Sequence, residues 1–272
     1  MSTLFIFGDE SGNLPLCEED GVFVGATVAT QTPPRKIEER KRNSRWLVQK
    51  LQKYSAHPFV AYIRPVPGYG AAVSSKLAKM DIMARSKRLL YGEHPYLPQG
   101  GIALRNFVWM HCIFQAITQS FAWSIIGGPI DALHIVLHQK TLAPENRRLL
   151  VNVVKRSPDR ALETLARARK LDANAADKYL SNMRVDPSRI SVSWSNDPGA
   201  SGAQPGLLLA DRLAWHYRRD LVGLNNTRIG DEMTTAGFGR FAMDITKIVT
   251  APINRRSIEN WKWATGLPEP TA

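Results

Sequence analysis

Thr3-Leu4-Phe5-Ile6-Phe7-Gly8-Asp9-Glu10-Ser11-Gly12-Asn13 sets a short run of aromatic and branched residues against a stretch of glycines and small polar groups. The run has the composition of a β-strand and the glycine-rich stretch spells the turn that stops it. Two carboxylates, Asp9 and Glu10, therefore stand at the end of a strand. Working outward, residues 21–30 form a second strand, antiparallel to the first because the connection is short, and Pro33-Pro34 closes it. Residues 59–66 form a third, ended by Pro67-Gly68. A long apolar helix is expected over 102–126, and residues 131–138 follow it as a fourth strand, parallel to the first. Residues 190–194 give a fifth strand and residues 206–221 a helix, with Pro205 near its start. The order β-β-β-α-β-α-β-α implies an α/β fold, a mixed five-stranded sheet flanked by helices.

Basic helical insertions interrupt this frame at about 35–54, 73–90 and 144–182. One α/β domain is expected over 1–225, with residues 226–272 as an extension of loops and short helices packing on it. No internal repeat or low-complexity tract is present.

The 272 residues carry 36 Lys+Arg and 24 Asp+Glu, a formal charge of +12. Such an excess points to an anionic partner, nucleic acid first. The cations cluster in the insertions, where Arg40, Arg42, Arg45, Arg85, Arg88, Arg147 and Arg148 are candidate phosphate contacts. For any single run the plainer reading is a solvated face. Trp46, Tyr54, Tyr69 and Trp261 offer rings for stacking on unpaired bases, or are packed. The two cysteines, Cys17 and Cys112, are too few for a disulfide framework or a cysteine zinc site. The N-terminus lacks the basic and apolar segments of a signal peptide, and the longest apolar run, 107–127, is broken by His111, Gln115, Thr118 and Gln119. A cytoplasmic protein without a membrane span is expected. No phosphate-cradling glycine loop appears, which argues against nucleotide-driven function.

The second notable carboxylate is Asp211, within Leu207-Leu208-Leu209-Ala210-Asp211-Arg212-Leu213-Ala214-Trp215. Its neighbours one turn away are apolar and it is too deep in the helix to cap it. A carboxylate buried there needs an arginine, a hydrogen-bond network or a metal; the plainer reading is an ion pair with Arg212 or Arg218 at the edge of the stripe. For Asp9, the plainer reading is a turn aspartate satisfying its own backbone.

The turn Gly8-Asp9-Glu10-Ser11-Gly12-Asn13 after an N-terminal strand, together with Leu208-Leu209-Ala210-Asp211-Arg212-Leu213-Ala214-Trp215 roughly two hundred residues on, resembles the two signature segments of domain-of-unknown-function family 3800. The resemblance brackets residues 4 to about 221. It implies a ribonuclease H-like fold and an acidic metal site for phosphodiester cleavage, in which Mg²⁺ or Mn²⁺ is held by Asp9, Glu10 and Asp211. The implied function is a metal-dependent nuclease acting on RNA or DNA. The alternative is a catalytically degenerate nucleic-acid-binding or assembly subunit with a protein partner, as in a defence or toxin–antitoxin system. Glu10 can join Asp9 only if the chain turns, because neighbours on a strand point to opposite faces.

This sequence departs from that pattern at the end of the fourth strand. There, a ribonuclease H-like site usually takes another carboxylate, and the sequence offers His138. An imidazole shifts preference towards Mn²⁺ or Zn²⁺, or carries protons beside the metal; the plainer alternative is a histidine hydrogen-bonded at a strand end. Leu208 replaces the glutamine common before the Ala-Asp pair, and Ser11, Ser195 and Asp197 are auxiliary candidates. His134 shares the face of His138, but two histidines without a third ligand make a poor zinc site.

Overall fold

The computed structural model describes residues 2–12, 22–37, 43–64, 66–68, 71–72, 75, 100–138, 151–152, 154–196, 204–224 and 228–251. Its strands are β1 (Thr3–Ser11), β2 (Phe23–Thr30), β3 (His57–Ile63), β4 (Ala132–Leu137), β5 (Ile190–Trp194) and β6 (Ala242–Asp244). Its helices are α1 (Ser44–Lys53), α2 (Gly100–Ser124), α3 (Ser157–Ala168), α4 (Ala173–Met183), α5 (Gln204–Leu221), α6 (Ile229–Thr235) and α7 (Thr246–Thr250). Among the described residues no helix is long and apolar enough to cross a membrane.

The strands form one mixed sheet in the order β5-β4-β1-β2-β3-β6. β2 is antiparallel to both its neighbours, β1 and β3, whereas β4 lies parallel to β1 and β5 parallel to β4. The sheet thus has six strands where the sequence predicts five. The added strand, β6, pairs parallel with β3 through Val60↔Ala242 to Tyr62↔Asp244. Three residues are too few to show a period-two pattern, so the pairing comes from the free edge of β3 and not from a local signal.

Every residue of β2 is buried, because helices cover both faces of the sheet's centre. On one face α2 supplies Trp109, Ile113, Ile117 and Phe121 against Leu4, Ile6, Phe23 and Leu133. Gly25 lets α2 come close: a Cβ there would lie 2.9 Å from Cys112 Cβ. On the other face α1, α5 and α6 pack Leu47, Leu51, Leu213 and Met233 against Phe7, Val24, Val28 and Val60. The helix expected over 35–54 begins at Ser44, where the Asn43 side chain accepts the Trp46 amide at 2.8 Å and caps it; residues 35–37 are not helical and 38–42 lie outside the described residues. The helix expected over 102–126 gives way to a 3-10 turn at Ile125–Gly127. Of the insertion at 73–90 only Ser75 is described, and residues 139–150 are not.

α5 is seated by a glycine. A Cβ on Gly206 would lie 2.5 Å from three ring carbons of Phe7, so no larger residue fits between helix and strand without displacement. Gly206→Ala is expected to destabilise the chain by about 1–3 kcal/mol, the usual cost of overpacking, read from the urea unfolding midpoint. In a double-mutant cycle with Phe7→Leu the two changes should compensate. An unchanged midpoint in Gly206→Ala would show that the helix is not held by this contact.

Candidate functional site

The parallel pairing of β1, β4 and β5 brings three strand ends together. Gly8 pairs with Leu137, and Leu137 pairs with Trp194. The His138 amide then donates to the Gly8 carbonyl at 2.9 Å and the Ser195 amide to the Leu137 carbonyl at 2.9 Å. Asp9, His138 and Ser195 are consequently the first residues beyond the shared ladder. Crevices at the carboxyl ends of parallel strands are where open α/β sheets bind ligands.

Strand parity puts Asp9 and His138 on the same face. Phe7 and Val136 pack in the core beneath α5, and each lies two residues before one of them. His138 Nδ1 sits 3.3 Å from Asp9 Oδ1, which also accepts the Glu10 amide at 2.7 Å. The Asp9 side chain is only 9% exposed, whereas that of His138 is 52% exposed and opens the site to solvent. Parity sends Glu10 to the opposite face, yet Asp9, Glu10 and His138 each offer a ligand atom within 4.8 Å of the others. β4 ends at Leu137 while β1 continues to Ser11 alongside β2, so among the described residues no strand lies on the β4 side of Glu10 to separate the two faces there. Among the described residues this is the one group of three metal-ligating side chains so close together.

Donor atoms at about 2.1–2.2 Å from one ion lie no more than about 4.4 Å apart. The three side chains therefore have to close by only a few tenths of an ångström to share a cation. Two carboxylates at this separation repel each other, and a divalent ion relieves that repulsion. The donor set, two carboxylates and one imidazole, fits Mn²⁺ better than Mg²⁺, whose preference is for oxygen alone.

Asp211 lies outside that group. The sequence places it on an apolar surface, but its side chain is 42% exposed, and its Oδ2 lies 3.7 Å from Nη1 of Arg212, itself 15% exposed. The ion pair, not burial, is its immediate environment. Its direction is nonetheless towards the strand ends. α5 runs alongside β1 in the same sense, since Gly206 rests on Phe7 and Arg218 on Gly12. Asp211 lies about 7.5 Å along the helix from Gly206, and Asp9 about 6.6 Å along the strand from Phe7. The two are therefore at nearly the same level. Tyr217 packs on Tyr62 of β3, with centroids 5.6 Å apart, and the Asp220 carboxylate accepts the Ile229 amide at the start of α6. That flank of α5 faces β3. Nine residues at about 100° each turn Asp211 to the opposite flank, the one facing β4.

Ser11 ends β1 paired with Val24. Ser195 is placed by its amide at the end of β5, whereas Asp197 lies outside the described residues. His134 is engaged elsewhere: Nδ1 is 2.5 Å from Ser191 Oγ and the ring stacks on Phe5. Of the arginines expected to meet phosphate, Arg45 is exposed on α1, and Arg40, Arg42, Arg85, Arg88, Arg147 and Arg148 lie outside the described residues, as do Tyr69 and Trp261. Trp46 and Tyr54 pack against the core beneath α1, with Lys50 and Lys53 over their rings. The turn expected over Gly8–Asn13 does not stop the strand at Phe7: Asp9, Glu10 and Ser11 stay in β1, paired with Ala26, Gly25 and Val24 of β2. One residue that the motif reading treats only as an ion-pair partner is Arg218, which the structure lays across Gly12, just past the end of β1. Its spacing of seven residues from Asp211, two helical turns, is the signal that groups them. Comparison with family models, with curated proteins and with solved structures found no match to this chain.

Proposed function

We propose that this chain is a metal-dependent nuclease that hydrolyses phosphodiesters of RNA or DNA on a ribonuclease H-like sheet. The observation that carries this reading is the Asp9, Glu10 and His138 group at the adjacent ends of β1 and β4. The strand order supports it, because strand four lies parallel beside strand one, where the fold requires its site. The formal charge of +12 supports a polyanionic substrate.

In this reading Asp9 and Glu10 hold the ion, with the imidazole of His138 as third ligand or as proton carrier, and Asp211 approaches from α5. A divalent ion there supplies Lewis-acid polarisation of the phosphate and an acidified water. Asp9 is pre-oriented by the Glu10 amide, and the backbone of His138 is placed by the ladder bond of its own amide to Gly8. The exposed edge of His138 leaves a path for a proton to solvent. His138 standing in place of a carboxylate favours a second reading, a nucleic-acid-binding or assembly subunit whose acidic site no longer cleaves.

Two experiments separate these. Titration calorimetry should show one Mn²⁺ bound, with affinity reduced at least about tenfold in Asp9→Asn and in His138→Ala, the scale of losing one ligand; equal affinity in both variants removes the metal site. Incubation of labelled single- and double-stranded RNA and DNA with Mn²⁺ should give cleavage that Asp9→Asn lowers by about a hundredfold or more, while circular dichroism stays unchanged. Salt-sensitive binding without cleavage under any divalent metal would establish the second reading.

A further inference from the structure

Two helices end close together at the β3 edge of the sheet. α1 finishes with Ser55 in a left-handed conformation, φ 45°, and the Ala56 amide donates back to the Leu51 carbonyl at 2.9 Å. α6 finishes in the same way, with Gly237 at φ 84° and the Phe238 amide donating to the Met233 carbonyl at 3.0 Å. Gln52 Nε2 ties the two ends by donating to the Ala236 carbonyl at 3.2 Å. Left-handed backbone is easy for glycine and costly for serine, so Ser55 keeps it only because its surroundings hold it there.

The tied ends leave a hollow beside them. With the start of β3 at His57 and Pro58, and with Trp123 from the end of α2, they enclose a cavity of about 390 Å³. That is the size of a site for a small ligand. Its walls are aromatic, formed by Trp123, Phe238 and Phe241. The indole of Trp123 is 38% exposed and lies beside Gly239, where a Cβ would come 3.5 Å from Cη2. Phe238 and Phe241 pack on the core beneath α1 and α6, which fixes that wall.

The polar groups of the cavity are few and of one sign. Arg240 lines it, and no acidic residue does among those described. Desolvation lowers the pKa of His57 below its ordinary value, so the ring is neutral at neutral pH and offers one donor and one acceptor. The guanidinium thus finds no counter-charge within the cavity, and an anion would supply one through a charge-assisted hydrogen bond. Ring faces on one side and a cation on the other define the shape and charge of the complement.

We propose that this cavity binds a small planar aromatic anion, with its ring against Trp123 and its carboxylate or phosphate on Arg240. The cavity is separate from the acidic group, because His57 pairs with Ala29 of β2 and Ala29 with Ile6 of β1, three residues before Asp9. Binding there needs neither a metal nor cleavage, so the proposal goes beyond the nuclease reading and does not depend on it.

The test is titration calorimetry of the full chain in EDTA, with 5′-AMP as the phosphate probe and indole-3-acetate as the carboxylate probe; the tighter of the two identifies the anionic group. At least one should bind at a single site, with affinity lowered about tenfold in Arg240→Gln and again about tenfold in Trp123→Ala. Adenosine or indole, which lack the anion, should bind about tenfold more weakly than the charged probe. Trp123→Phe keeps a ring, so it should retain most of the affinity and lose the change in tryptophan fluorescence on binding; this variant decides the position if Trp123→Ala does not fold. Arg240 is exposed, so Arg240→Gln does not disturb the core. No saturable binding of either probe at millimolar concentration would overturn the proposal, and so would unchanged affinity in Arg240→Gln or in Trp123→Ala. Inorganic phosphate or acetate binding as tightly as the aromatic probe would overturn the assignment to an aromatic ligand.

Discussion

The hydrogen bond from the His138 amide to the Gly8 carbonyl, 2.9 Å long, is the last rung of the parallel ladder between β4 and β1. Everything at the candidate site depends on where that ladder stops. β1 carries on through Asp9, Glu10 and Ser11 with β2 on one side and, among the described residues, no strand on the other. The open side is what lets an imidazole from β4 and two successive carboxylates of β1 meet, although the strand's own period of two would part the carboxylates. A register shifted by one residue would turn His138 to the opposite face and dissolve the group. Leu133, Ile135 and Leu137, buried beneath α2, hold the register by the cost of exposing them.

The second constraint is the seat of α5. Its closeness to β1 comes from the missing side chain at Gly206, and at the far end from the missing side chain at Gly12. Between these two contacts the helix is held parallel to the strand, and its β4-facing flank carries a carboxylate, an indole and a guanidinium in one line. The acidic strand end and the basic helix flank are thus parts of one arrangement. In the nuclease reading proposed above, the negative groups at its centre would hold a cation and the positive groups at its border would meet phosphate.

Much of this was legible in the residues. The runs that make β1, β2, β4 and β5 are apolar and bounded by turn residues, and the antiparallel and parallel pairings follow from the lengths of the connections. That Asp9 and His138 share a face follows from strand parity, and their nearness from the register of β4 on β1. Other features had no local signal. β6 is made by the edge it joins, the start of α1 is hidden in a run of like charges, and the ion pair that exposes Asp211 depends on how Arg212 is packed. The role of Gly12 is visible in sequence only as a turn residue; that it makes room for Arg218 is a fact of tertiary packing.

The central claim is that the ends of β1 and β4 form a cation site. Anomalous X-ray scattering from crystals equilibrated with Mn²⁺ tests it most directly, because it locates the ion without assuming any activity. The account predicts a single strong peak bounded by the carboxylates of Asp9 and Glu10 and by the His138 ring, with ligand distances near about 2.2 Å. No peak there, or a peak elsewhere on the surface with this group unoccupied at saturating Mn²⁺, would contradict it.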